Sequence, residues 1–311
     1  MNAPQNSVIA MPPAYPPSKS LKSIKKKVDI DPQGSEHRGM SGFFESIFRK
    51  FKSFGHIAML VPMYALGAFC IGAALVPGIT FFNFVNDLTT AWSRPLHYAA
   101  LGFALGAGYF LYGFSQLFIL PTLNFVLRGQ LAPWRGTYYS LGTIKWYIHN
   151  SLTYLMRYTF LEFFTPTPFN LLFYKWMGMK IGRGTQINST AISDPSLIEL
   201  GEKVTIGGSA VICAHYGMAG FLIIAPVKIG DGAVIGLRAI IMGGVEIGAN
   251  AKVLPNSVVL PKTFIPAGET WAGVPAVKID VASLKLIPQV PEASPQVSPQ
   301  ISPQISTKKA A

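Results

Sequence analysis

The sequence predicts a three-sided coil of short parallel strands joined to an α-helical membrane anchor, and three observations carry that prediction. An aliphatic residue recurs every six positions through much of the chain after Ile181. Two earlier stretches are long, apolar and free of charge. Half of the 311 residues are apolar and only 13% are charged, with a mean hydropathy of +0.36. An ordinary soluble domain carries about 25% charged residues, so that class is disfavoured from the start.

Residues 1–52 form a basic arm, holding nine of the 26 Lys and Arg residues of a chain whose net charge is +12. The Ser20–Lys27 patch would suit nucleic acid or an anionic lipid surface. Its place just before an apolar run favours the lipid bilayer, and no nucleic-acid partner is expected. Pro, Ser and Lys dominate residues 1–40, a composition that predicts disorder.

No charged residue lies between Lys52 and Asp87 or between Arg94 and Arg128. Each gap exceeds the roughly 20 residues that a helix needs to cross about 30 Å of hydrocarbon. Within a region spanning 53–130, helices are predicted at about 57–82 and 98–127, rich in the Gly and Ala that let helices approach in lipid. Pro62, Pro77 and Pro121 mark kinks or ends, and a re-entrant hairpin is the alternative to two crossings. Basic residues flank the pair on both sides, so both termini and the later coil are expected in the cytoplasm. The apolar run starts too late for a cleaved leader.

Residues 131–178 read as amphipathic interfacial helices. Lys145, His149, Thr153 and Arg157 recur at four-residue spacing and form one stripe, while Leu141, Ile144, Ile148, Leu152 and Leu155 form another. Such a helix is expected in the membrane interface with His149 on its wet side. The Thr165-Pro166-Thr167-Pro168 run ends it.

The domain at 179–280 carries the six-residue period. Ile229, Ile235, Ile241, Ile247, Val253, Val259 and Ile265 occupy seven consecutive registers, with Ile181, Ile187, Leu200, Ile206 and Ile212 upstream. This period fits neither helix nor plain strand alternation; it fits one inward residue per face of a triangular coil. The glycine that often follows is expected to relieve strain at each corner. The two upstream blocks differ in phase by one residue at Asp194-Pro195, and Tyr216–Ala225 fits no hexapeptide, so a loop is predicted there.

This pattern resembles the left-handed parallel β-helix of the hexapeptide-repeat acyltransferases. The resemblance implies a single histidine near the loop acting as general base, and His215 is the only histidine after His149. A histidine capping a corner is the other reading. It also implies a thioester donor, coenzyme A or carrier-protein phosphopantetheine. The Gly273-Val274-Pro275-Ala276 segment resembles the family's Gly-x-Pro-Ala closure, which lies near the pantetheine arm; Val274 stands where Asn is more usual. Gly273, Pro275 and Ala276 are therefore cofactor candidates, with Lys228, Arg238 and Lys252 as phosphate partners. Asp194, Glu199 and Glu202 precede His215 by about one coil and are candidates to hold an acceptor ammonium; Tyr216 and Gly217 would line the acceptor.

Taken in order, the apolar helices, "TPFNLLFYKWMGMKIG", "DPSLIELGEKVTIGGSAVICAH", the loop and the closing segment resemble the membrane-embedded C-terminal domain of poly-lysine-synthetase-like nonribosomal peptide synthetases, over about residues 140–280. That resemblance implies acyl or aminoacyl transfer to a hydroxyl or amine, with a carrier protein or peptide synthetase as partner, and the wider family implies a homotrimer. The alternatives are a non-catalytic scaffold at the bilayer, a γ-type carbonic anhydrase and a transporter. Zinc chemistry of the γ type needs three histidines, whereas the repeat offers one, and no metal is expected. Residues 281–311 carry a Ser-Pro-Gln-aliphatic repeat expected to be extended and solvated. Cys70 and Cys213 are too few for a disulfide framework.

Overall fold

A computed structural model describes residues 40–280 apart from Phe51. The first 39 positions of the basic arm and the Ser-Pro-Gln tail lie outside the described residues. At the end of the arm, Met40–Lys50 forms helix α1.

Two long helices follow, α2 (Lys52–Thr89) and α3 (Arg94–Val126). Both are long and apolar enough to cross a membrane, with mean hydropathies of 2.0 over Leu60–Thr89 and 1.5 over Arg94–Val126. Only 17% and 33% of their most apolar windows are buried. Pro62, Pro77 and Pro121 lie inside the helices. The pair touches at Gly78 and Gly108, where a Cβ on Gly78 would stand 2.9 Å from the Gly108 carbonyl oxygen. Small residues there let the backbones meet.

Helices α4 (Thr143–Thr159), α5 (Leu161–Phe164) and α6 (Pro168–Trp176) join this hairpin to the coil. The proline run divides α5 from α6, whose N-cap Thr167 accepts a bond from the Phe169 N–H. The expected wet stripe on α4 is corrected by the structure. His149 and Thr153 have no exposed surface, and His149 Nδ1 lies 2.9 Å from Asn124 Oδ1 on α3. At the other end Thr159 Oγ1 donates to Gln116 Oε1 at 2.7 Å. Contacts from 149 to 159 on α4 thus match contacts from 124 back to 116 on α3, so the two run antiparallel. Of the stripe, His149 thus turns to Asn124 on α3 and Thr153 bonds the His149 carbonyl, while Lys145 is exposed.

The coil has three parallel faces. The first holds Lys180–Ile181, Ile198–Leu200, Val227–Ile229, Glu246–Ile247 and Phe264–Ile265. On the second are Gln186–Ile187, Thr205–Ile206, Val234–Ile235, Lys252–Val253 and Thr270–Ala272, closed by an antiparallel strand at Val277–Lys278. The third holds Ile192–Ser193, Val211–Cys213, Ile240–Ile241 and Val258–Val259. Ile229 pairs with Ile247, and Ile247 with Ile265. The six-residue ladder is therefore the inward row, and Ile206, Ile212, Ile235, Ile241, Val259 and Ile265 have no exposed surface. Each such side chain contributes roughly 1.5–3 kcal/mol on burial. Hexapeptide period and parallel sheets together fit a left-handed parallel β-helix.

The role expected of the glycines changes. Gly236 and Gly248 do not supply the left-handed backbone; a Cβ on either would stand 2.4 Å from the backbone nitrogen of the next coil. Left-handed φ comes two residues later, at Gly232, Arg238, Gly244, Asn250, Asn256, Lys262 and Gly268. Close coil stacking, more than corner strain, explains the first set.

The loop predicted at 216–225 is a β-hairpin, His215–Met218 against Phe221–Ile224. Ala219 and Gly220 both have positive φ (50° and 79°), as a two-residue type I′ turn needs. Trp134–Thr137, expected among helices, adds a third antiparallel strand to Phe221–Ile224.

Candidate functional site

The one-residue phase shift and the hairpin meet at one edge of the coil. Asp194 takes φ +59° at the corner after Ile192–Ser193, and Pro195–Leu197 form a 3₁₀ turn that absorbs the extra residue. One coil on, Ser193 pairs with Cys213, so the chain leaving Val211–Cys213 passes directly over Asp194. His215 is the first hairpin residue, and its Nδ1 lies 2.5 Å from Asp194 Oδ2.

The carboxylate is fully held. Oδ2 also accepts from the Ala214 N–H at 3.0 Å, and Oδ1 accepts from Trp146 Nε1 at 2.9 Å and Asn150 Nδ2 at 2.7 Å. Asp194 has no exposed surface, whereas the His215 side chain is 22% exposed. Because the carboxylate accepts from Nδ1–H, the lone pair falls on Nε2, which has no hydrogen-bond partner among the described residues. Trp146 sets its ring edge-on to the imidazole, centroids 5.1 Å apart. Beside them, burial first and the Asp194 charge second push the Cys213 thiol up to about 11, so it stays protonated near neutrality and is no nucleophile.

The other sequence candidates are spread over the coil. Asp194, expected at an acceptor ammonium, instead has both oxygens engaged beneath the imidazole. Glu199 projects from the first face, paired with Lys180 at 2.5 Å. Lys228 shares that face, 3.5 Å from Glu246, and Arg238 sits at the corner between the second and third faces, so the two cations do not converge. Tyr216 is buried, and strand alternation turns it away from the His215 side; Gly217 returns to that side, with the Tyr138 hydroxyl 3.0 Å from where its Cβ would be.

Gly273, Pro275 and Ala276 do share the third face with the strand that leads into His215. The Val258 N–H donates to the Gly273 carbonyl and the Ala276 N–H to the Val258 carbonyl, which lays the segment beside that strand. Among the described residues no group of three or more His, Cys, Asp or Glu side chains stands close enough together to hold a metal ion.

Trp146 and Asn150 were not singled out by the sequence reading. Their signal is a stripe one residue away from the chosen one: Trp146, Asn150 and Tyr154 at four-residue spacing, the last bonded to Ser193 Oγ at 2.9 Å.

Comparison with known proteins places this site in context. Residues 226–261 match the bacterial transferase hexapeptide family (six repeats). The delta-poly-L-ornithine synthetase of Acinetobacter baumannii is 23% identical over 171 residues, 54% of this chain and 13% of that protein. A mitochondrial gamma carbonic anhydrase 2 of Arabidopsis thaliana is 35% identical over 109 residues, 32% of this chain and 34% of that protein. The chain thus spans from about an eighth to a third of the length of these relatives. Among solved structures, a hexapeptide-repeat acetyltransferase of Vibrio cholerae is 30% identical, with a TM-score of 0.31, covering 33% of this chain and 62% of the other.

Proposed function

We propose that this chain, whose residues 226–261 match the bacterial transferase hexapeptide family, is a membrane-anchored transferase of the hexapeptide-repeat type that moves an acyl or aminoacyl group from a thioester to a hydroxyl or amine. The observation that carries this reading is the imidazole whose Nδ1 is fixed on a buried carboxylate while Nε2 is left with a lone pair at the surface.

His215 Nε2 takes the proton of the acceptor O–H or N–H as that atom attacks the thioester carbonyl carbon. The new C–O or C–N bond forms and the C–S bond breaks. The sulfur leaves as thiolate and receives the same proton back from the imidazolium, so no co-reactant is needed. Asp194 holds the tautomer and stabilises the transient positive charge.

The donor is read as coenzyme A or carrier-protein phosphopantetheine. Supporting this, the Gly273–Ala276 segment lies three strands along the third face from Val211–Cys213, about 14 Å at ordinary strand spacing. An extended pantetheine arm would cover that distance. The exposed apolar surfaces of α2 and α3 support insertion in a bilayer, with the coil on the cytoplasmic side. A homotrimer follows from the family reading.

The test is transfer from acetyl-coenzyme A, followed as thiol release, with full-length protein in lipid nanodiscs and a panel of hydroxyl and amine acceptors. His215→Ala is expected to lose roughly 10²–10⁴ in rate. An unchanged rate in that variant removes the mechanism.

A further inference from the structure

We infer that Asn150 and Trp146, which lie outside the coil on α4, are positioning residues for the His215–Asp194 pair; the inference rests on the proposed general-base role. Asn150 uses both ends of its amide on one residue. Its Nδ2 donates to Asp194 Oδ1 at 2.7 Å, and its Oδ1 accepts from the Asp194 backbone N–H at 3.3 Å. It thereby clasps the side chain and the left-handed backbone (φ +59°) together. Trp146 touches both members, through the 2.9 Å bond to Oδ1 and the ring contact with His215.

With Oδ1 pinned by two donors, the carboxylate cannot turn about its Cβ–Cγ bond without breaking both. Rotation would swing Oδ2 off Nδ1 and release the imidazole to its other tautomer, in which Nε2 carries the proton and cannot act as base. The two residues are one helical turn apart, so a single face of α4 provides both donors. Tyr154, a further turn along, binds Ser193 and touches neither His215 nor Asp194 by any hydrogen bond, so it docks the same helix without reaching the pair.

That difference makes the inference testable without any transfer assay. Full-length protein with ¹⁵N-labelled histidine, in lipid nanodiscs, reports the His215 tautomer by NMR. The wild type is expected to hold Nδ1–H. Trp146→Phe and Asn150→Leu are each expected to move roughly half or more of the neutral ring to the Nε2–H form, while Tyr154→Phe leaves it in place. Equal shifts in all three variants would reduce α4 to a docking helix, and no shift in any would overturn the inference outright. If Asn150→Leu fails to fold, Trp146→Phe decides the matter, since it keeps a ring and removes only the indole and its N–H. A wild type inactive in transfer but normal in this readout would remove the enzymatic reading and leave the positioning role standing.

Discussion

Lowering the pH should destabilise this protein through His149, by an amount the structure allows one to work out. The ring has no exposed surface and lies between Asn124 Oδ1 at 2.9 Å and Ser196 Oγ at 3.4 Å. Burial holds its imidazole down to about 4, against an ordinary value of 6.5, while the charge of Asp194 opposes the shift. As pH falls below 6.5 the unfolded chain takes up a proton that the folded chain refuses until about 4. Stability is therefore intact above 6.5, declines through the interval, and levels off below about 4. The contribution lost is about 2 kcal/mol at pH 5 and about 3 kcal/mol at the lower limit.

The assay is unfolding by sodium dodecyl sulfate in mixed micelles at pH 7.5, 6 and 5, with the wild type beside His149→Gln. The glutamine cannot titrate, and it loses packing and hydrogen bonds, so it should be the less stable protein at pH 7.5. Other titrating groups are common to both and cancel in the difference. The gap should close by about 2 kcal/mol on going to pH 5. Parallel curves would refute the reasoning, because they would mean that His149 meets its proton equally well folded and unfolded.

Coil stacking gives a paired expectation. Gly236→Ala puts a Cβ 2.4 Å from the Pro255 backbone nitrogen and should cost about 2 kcal/mol or more, whereas Lys262→Gly, at φ +61°, should stay within about 1 kcal/mol of the wild type by the same unfolding measurement. For membrane depth, Phe163 packs on Tyr109 and Phe110 with ring centroids 5.5 and 5.9 Å away. A nitroxide on Phe163→Cys in nanodiscs should be relaxed by oxygen more than by a nickel chelate, with the reverse at Lys252→Cys on the second face; chelate access at 163 would place the aromatic cluster outside the bilayer.

The coil was legible because its period is set by geometry that nothing else in a protein shares: each inward Ile or Val must recur when the chain returns to the same face. The same arithmetic exposed its two irregularities, Asp194-Pro195 and the segment after His215, and these lie against each other at the site. What the sequence hid was the partner outside the coil. Helical periodicity identifies which residues of α4 share a stripe, but it cannot say which stripe faces the coil and which faces α3. His149 looked solvated because polar residues usually are, and its buried partners Asn124 and Ser196 lie 25 and 47 positions away. Trp146 and Asn150 were unreadable for the same reason, since Asp194 is 48 and 44 positions distant. Charge was a poor guide as well: Glu199 and Lys228 are close to His215 in sequence but are carried to another face by the coil that brings Asp194 beneath it.

The length of α3 ties the anchor to the chemistry. Its 33 residues make about 50 Å of helix, some 20 Å more than a hydrocarbon core requires. Under the proposed insertion, with Arg94 at the far boundary, Phe114 would fall near the close one, and it meets Phe164 and Phe169 at 5.1 and 5.2 Å, with Trp176 on Phe118 at 5.2 Å. Aromatic rings of α5 and α6 thus gather where an interface belt belongs. Asn124, ten residues beyond Phe114, stands about 15 Å further out and holds His149, the neighbour of Asn150. The end of α3 therefore acts as a strut, since α4, bonded to it at His149 and Thr159 and to Asp194 at Trp146 and Asn150, carries that hold through to the carboxylate beneath the imidazole.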